Sequence, residues 1–400
     1  MDSAPAVRPG ASPIARTLAF SVAEYQRRLA RTEGLVAAAG VDALLTTILG
    51  NVCWLTGFQT LASYSFALYA ALIEPGRPPT LVSSDFESHN ALIDAWVDDV
   101  RTYGVMDDPV VAIAELIDAL GLARSRIGVE TGYGALTVGQ SDALRGRLPD
   151  VTWVDVSGLV ERARAVKSAE ELAALREAGR IASAGMAAAL DAVSLGATDN
   201  DIAAAAANAV VRAGGEHFAI VPIVTAGRRS GIPHTTFRRN RLARGEPVFI
   251  EVCGTYQRYS APMLRTAAIG DPGPDVRRAF DACLASVETL LREVRAGVPA
   301  SHAAGAAGAA MRAIADDLIW HGYYGGSTGL SFSPTYSDGG AVEITERSDD
   351  LLEAGMTFHA STSLRRLGEF GVTVGETIAV TADGCEVLTS VPRGLHVVPA

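Results

Sequence analysis

The sequence predicts an α/β domain followed by an α+β domain in which helices pack on an antiparallel sheet. Three observations predict it. The 400 residues are too many for one typical core and comfortable for two. Up to about residue 165, short apolar runs alternate with helical stretches, the order of an α/β unit. Beyond that point, strands of alternating polarity are interrupted by two helical stretches. Hydrophobic residues at 48% and charged residues at 20% are the balance of a globular protein.

Residues 1–18, rich in Pro, Ala and Ser at their start, read as a disordered leader, and residues 19–165 as the first domain. Within it "VAEYQRRLARTEGLVAAAG" has helical spacing, while "VDALLTT", "ALYAALIEP" and "PTLVSS" read as short buried strands and "ESHNALIDAW" as a helix. A second cycle runs through "DPVVAIAELIDALGL", "RIGVE" and "VTWVDVSGLVERARAV". The second domain, 166–400, opens on Ser168 and Glu171, a capping box ahead of Leu172, Leu175, Ala178, Ala182 and Met186 on one helical face. Another Ala-rich helix follows Thr198, and further helices are expected near 274–295 and 301–320. The strand candidates are "FAIVPIVTAG", "PVFIEVCG", "PMLRTAAIG", "MTFHAST" and "VTVGETIAVT". An Asp-Gly turn in "ETIAVTADGCEVLT" predicts a closing hairpin.

The formal charge of -11 and pI near 5.2 exclude a nucleic-acid partner, which would need clustered Lys and Arg. No apolar run reaches membrane-spanning length, and the N-terminus lacks the basic-then-apolar order of a signal peptide. Cys53, Cys253, Cys283 and Cys385 are scattered without a CxxC pair, which suggests neither a zinc ribbon nor a disulfide framework. A cytoplasmic protein is expected.

Candidate chemistry gathers in the second domain. On strict alternation Phe249, Glu251 and Cys253 share one face of a strand, so Glu251 sits among apolar neighbours. Such a carboxylate is either ion-paired, with Arg258 or Arg265 as candidates, or functional. Pro262 on the return strand can give no ladder hydrogen bond and marks an edge or a bulge. His234 lies in the Pro-containing loop "SGIPHTTF", where Arg228, Arg229, Arg238, Arg239, Arg241 and Arg244 surround it in sequence. Those arginines form a solvated face or attract a substrate carboxylate. Glu376 shares parity with Val372, Val374 and Ile378, a second carboxylate on an apolar-flanked face. His359 and Ser361 share one face of "GMTFHASTS", and "YYGGSTGLSF" reads as a small-residue loop.

The order of these segments resembles the pita-bread family, which includes methionine and X-Pro aminopeptidases, prolidase, creatinase and ectoine hydrolase. The resemblance rests on "NVCWLTGFQT", on "RARAVKSAEELAALREA" at the domain junction and on "ETIAVTADGCEVLT". It implies a creatinase-type α/β N-terminal domain and an α+β catalytic domain, a curved antiparallel sheet covered by helices. The family's peptidases hold two metals with an Asp on a strand, an Asp in a Y-x-S-D-x-T-R-T pattern, a His in G-H-x-x-G and two Glu. These positions carry over to Glu251, Pro262, Gly326, Ser361 and Glu376. With two carboxylates left, no catalytic metal and no cofactor are expected.

His234 matches the histidine that metal-free creatinase uses as its acid/base. The resemblance therefore implies a metal-independent hydrolase cleaving a C–N bond of a small amidine, guanidine or cyclic amide. In it Glu251 attacks or activates water, His234 protonates the leaving nitrogen, and Glu376 faces them with Ser361 and His359 on the substrate. It also implies a homodimer whose N-terminal domain covers the partner's site through Phe58 and Tyr64. The alternatives are an X-Pro peptidase with a rearranged metal set and a non-catalytic binding protein on the same fold.

Overall fold

The computed structural model describes residues 15–62, 67–132 and 134–400. The chain divides into two compact units, Met1–Arg164 and Ala165–Ala400.

In the first unit the elements run α1 (Val22–Ala38), β1 (Ala43–Thr46), α2 (Leu49–Thr56), β2 (Ala70–Ile73), β3 (Thr80–Ser84) and α3 (Ser88–Asp94). They continue with β4 (Val100–Tyr103), α4 (Pro109–Ala119), β5 (Arg126–Val129), α5 (Val138–Arg147), β6 (Thr152–Asp155) and α6 (Leu159–Ala165). The strands form one mixed sheet in the order β4-β3-β2-β1-β5-β6. β1 and β2 are buried at every position, as expected of uniformly apolar runs between layers. A buried polar cluster ties the unit together: Asn51 donates to both Glu130 and Glu161, and Arg164 donates to Asn51. Burial pushes Glu130 up to about 7.

The second unit opens with α7 (Ala169–Asp191) and α8 (Asp199–Arg212). The Ser168–Glu171 capping box is formed in full, and Thr198–Asp201 repeats the device on α8. Then come β7 (Ile223–Ala226), a 3₁₀ turn (Gly227–Gly231), β8 (Pro247–Tyr256), β9 (Tyr259–Ile269), α9 (Pro274–Glu293) and α10 (Ala300–Arg312). The chain ends with β10 (Tyr323–Ser327), β11 (Glu343–Thr345), β12 (Thr357–Arg366), β13 (Phe370–Val380), β14 (Cys385–Val387) and β15 (His396–Val398). The main sheet has the order β11-β10-β12-β13-β9-β8-β7, with β14 on β13 and β15 on β9. This helix-covered antiparallel sheet is the pita-bread architecture that the sequence resemblance implies.

One face of the sheet is apolar and packs the helices. Val248, Ile250, Val252, Met263 and Ala267 join α7 and α8 in one core, and Leu364, Val372 and Val374 join α9 in another. Gly254 permits the closest approach, because a Cβ there would overlap the backbone of Ala178 and Ala182 on α7. The other face carries the polar side chains described below.

Three expectations need correction. The helix expected to reach about 320 ends at Arg312, and the chain beyond it turns back so that Ile319 bridges to Arg365. Part of "YYGGSTGLSF", expected as a loop, forms β10, whose glycines pair with β11 on one side and β12 on the other. Pro262 lies in a central strand. Its missing donor is accommodated because the β9–β13 ladder thins to the single pair Gly375↔Leu264, while the Thr377 hydroxyl donates to the Pro262 carbonyl.

Candidate active site

The register of four strands defines the site. Glu251 pairs with Leu264, Leu264 with Gly375 and Gly375 with Ser361, so these four side-chain positions lie in one row on one face. The next row on that face follows from the same ladders: Cys253, Pro262, Thr377, His359 and Gly326. Parity adds Phe249 at one end of β8 and Arg365 at the far end of β12.

Glu251 is buried, with 7% of its surface exposed. Burial pushes its carboxyl up to about 7, opposed by a hydrogen bond from Tyr336 and by the positive charge of Arg365. Tyr336 comes from the loop between β10 and β11. Two residues on, that loop is pinned by Asp338, which accepts from Lys167 at 2.6 Å and from the Ser327 hydroxyl. The Tyr336 hydroxyl also lies 3.2 Å from Nδ1 of His359, with the two rings edge to face. His359 is 3% exposed, burial lowers it to about 3, and its Nε2 has no hydrogen-bond partner among the described residues.

The opposite flank is cationic. The Arg365 guanidinium stacks 5.2 Å from the Phe249 ring centroid and sits 2.8 Å from His321 Nε2, while its own Nε has no partner among the described residues. Burial, then the charges of Arg365 and His234, lower the pKa of His321.

The residues expected at the site are treated unequally. Glu251, His359 and Ser361 share the face. His234 is exposed, holds a positive φ of 52° and reaches the cluster electrostatically through His321 rather than by contact with Glu251. Glu376 is a correction: position 376 is one step out of the row, so its side chain points to the helix-covered face. There Arg265 at 2.6 Å, Arg393 at 2.8 Å and the Thr389 hydroxyl hold it. The residue of β13 that does share the row is Gly375. Arg265, a candidate partner of Glu251, is thereby Glu376's partner, and Arg258 stacks on Phe332 instead. Phe58 is fully buried against Tyr69 in the core of its own unit, so it offers no surface to a partner's substrate. Tyr64 lies outside the described residues.

Sequence reasoning missed Arg365, Tyr336 and His321. Arg365 was within reach, since it shares strand parity with His359 and Ser361. Tyr336 and His321 sit in irregular segments that carry no periodic signal.

The donors of this face do not fit a dinuclear metal. Glu251 is the carboxylate of the two rows, Pro262 and Gly326 supply no ligand atom, and the space beside Gly326 is taken by the Tyr323 hydroxyl. Among the described residues no group of three or more His, Cys, Asp or Glu is placed to hold a metal.

Comparison with known proteins supplies the lineage. Residues 173–382 match the metallopeptidase family M24 and residues 28–166 the creatinase/prolidase N-terminal domain. The chain is 27% identical to the ectoine hydrolase of Halomonas elongata, over 95% of this chain and 99% of that protein. It is 30% identical to an uncharacterized hydrolase/peptidase of Sinorhizobium fredii, over 96% and 99%. The crystal structure of dipeptidase PepE from Mycobacterium ulcerans superposes with a TM-score of 0.80 at 26% identity, covering 95% of this chain and all of that one. With both domain families matched in order along the chain, it belongs to the creatinase–prolidase group of metallopeptidase family M24, a family of hydrolases.

Proposed function

We propose that this protein is a metal-independent hydrolase that cleaves a C–N bond of a small amidine, guanidine or cyclic amide. One observation carries the reading: on the face where the family's peptidases gather metal ligands, Glu251 is left beside Pro262, Gly326 and Ser361, buried and with a carboxyl near 7. A carboxylate of that basicity is matched to accepting a proton at neutral pH.

In this reading a cationic amidine carbon lies over Glu251, which draws a proton from the attacking water or adds to the carbon itself. Arg365, whose Nε has no partner among the described residues, takes an anionic group of the same small molecule. The site then fits a zwitterion. His234, on the exposed loop, closes over the substrate and gives the proton to the leaving nitrogen, and Ser361 lies under the bound ring. The kinship with an ectoine hydrolase makes ectoine the first compound to test. The active form is proposed to be a homodimer, which light scattering against the 41.6 kDa chain mass checks directly.

Purified protein is to be mixed with ectoine, creatine, other cyclic amidines and X-Pro dipeptides, with bound metal measured in parallel. Turnover of an amidine or guanidine with substoichiometric metal, insensitive to chelator, supports the proposal. Stoichiometric metal with chelator-sensitive dipeptidase activity overturns it. Absence of all turnover alongside tight ligand binding favours a binding protein.

A further inference from the structure

We propose that Arg365 and His321 form a receptor for a single carboxylate, with His321 a positioning residue that holds the guanidinium edge-on to the bound group. The inference rests on the reading above, in which Arg365 takes the anionic end of the substrate. It names the chemistry of that end and the residue that sets its receptor.

Two buried arginines of the one sheet differ in how their donors are used. Arg265 is 1% exposed, and every nitrogen of its guanidinium is spent. Nε donates to the Pro392 carbonyl, Nη1 to the carbonyls of Leu264 and Gly375, and Nη2 to Glu376 and the Val391 carbonyl. Arg365 is 6% exposed, and its guanidinium makes one hydrogen bond among the described residues, from Nη1 to His321 Nε2 at 2.8 Å. Its Nε is enclosed without an acceptor. A buried N–H left in that state is rare, and a missing ligand or water is the usual reason for it. Nη2 makes no hydrogen bond among the described residues either, and unlike Nε it is not fully enclosed.

The one hydrogen bond defines His321. A guanidinium can only donate, so Nε2 accepts, and the imidazole is neutral with its proton on Nδ1. Its place is set by the backbone. Ile319 and Arg365 exchange both main-chain hydrogen bonds, at 2.9 and 3.1 Å, so the ring two residues further on reaches the guanidinium of the same arginine. With Nη1 taken, Nε and Nη2 remain, and their N–H groups point to one side of the planar group. That edge matches the two oxygens of a carboxylate.

Charge favours a monoanion. Arg365 brings one positive charge and His321 none, and Glu251 lies on the same face, so a dianion such as phosphate would be left uncompensated. The guanidinium stacks 5.2 Å from the Phe249 ring centroid. Phe249 stands two residues from Glu251 on β8, about 7 Å at the usual rise of a strand. One small molecule can therefore reach both the free edge of Arg365 and the Glu251 carboxyl.

The test uses the full-length protein and starts without substrate. The ¹⁵N signals of the arginine Nε–H groups, with that of Arg365 assigned by its loss in R365K, are followed as sodium acetate, acetamide, sodium phosphate or sodium chloride is added. Acetate should move the Arg365 signal saturably, with a Kd in the millimolar range, and acetamide and chloride should not. His321 is exposed, so its replacement spares the core. H321L, which removes the acceptor, should weaken acetate binding about 10-fold or more, and H321Q, whose amide oxygen can stand where Nε2 stood, should restore it to within about threefold. No saturable response to acetate, an equal response to acetamide, tighter binding of phosphate, or undiminished acetate binding in H321L overturns the proposal. With a carboxylate-bearing substrate in hand, H321L should raise KM about 10-fold with kcat within about twofold, and H321Q should stay close to the wild type. A merely structural role for His321 would not split KM from kcat in that way. Acetate binding is read without turnover, so loss of the receptor leaves the hydrolase reading standing, and failure to find a hydrolysed amidine leaves the receptor standing.

Discussion

Glu251 and Glu376 are both buried glutamates of one sheet, two strands apart, and they face opposite sides of it. Glu376 lies on the helix-covered side, where two guanidiniums and a hydroxyl saturate its oxygens. Glu251 lies on the polar side, where only the Tyr336 phenol and the charge of Arg365 oppose burial, which pushes it up to about 7. A buried carboxylate surrounded by donors holds structure, and one left short of them is primed for proton transfer. Both side chains are buried, at 7% and 1% exposure; the number of donors separates them.

The comparison breaks most sharply at Glu251 itself. Glu251→Gln keeps the shape and removes the titrating group, so kcat/KM on the substrate should fall by about 10²- to 10⁴-fold, with Tm unchanged or raised. Retained activity in E251Q would falsify its role. Glu376→Ala should do the reverse, destabilising the fold by about 3–5 kcal/mol through the unpaired Arg265 left in the interior. Chemical denaturation measures it, and the folded fraction should retain the wild-type kcat. A specific loss of kcat in stable E376Q would return Glu376 to the chemistry.

Glu251 should also show itself in the response of stability to pH. Glu251 is raised from an ordinary 4.5 to about 7, so the folded state binds the proton more tightly than the unfolded chain. Its contribution to stability is fully present below about 4.5 and is lost as pH rises to about 7, by about 3 kcal/mol if the unfolded value is ordinary. Glu130 in the first unit is raised over the same window for the same reason. The expected signature is a decline in unfolding free energy between pH 5 and 7 that E251Q and E130Q each flatten in part. A slope unaffected by E251Q would show that Glu251 is ionised in the fold and weaken its assignment as a base near neutrality.

Much of this was legible in the sequence, and the failures have a common cause. The capping box at Ser168, the Asp-Gly hairpin and the alternation around Glu251 are local patterns, and they fold as local patterns should. Parity within one strand says which residues share a face, but not which face is covered by helices. β13 is buried along its whole length, so apolar neighbours gave Glu376 no direction. Only the cross-strand register, Gly375↔Leu264↔Glu251, fixes it, and that pairing joins segments more than a hundred residues apart. Tyr336 depends on the same kind of distant fact, since Asp338 anchors its loop to Lys167.

The smallest effects separate two glycines of the polar face. At Gly326 an added Cβ meets the Tyr323 hydroxyl, the tip of a side chain that is 37% exposed and can swing away. Gly326→Ala should therefore cost about 1 kcal/mol or less. At Gly375 the same methyl meets Leu264 Cδ1 and Ser361 Cβ, both at 2.9 Å, and His359 Nε2 at 3.0 Å. These belong to packed strands, so Gly375→Ala should cost about 1–3 kcal/mol. It should also lower turnover, because the methyl pushes on His359 and Ser361, which share the polar face with Glu251. Denaturant midpoints and kcat for the two variants decide the matter. If G375A turns over as well as G326A, the space above Gly375 is packing room and the reacting atoms lie elsewhere on the face.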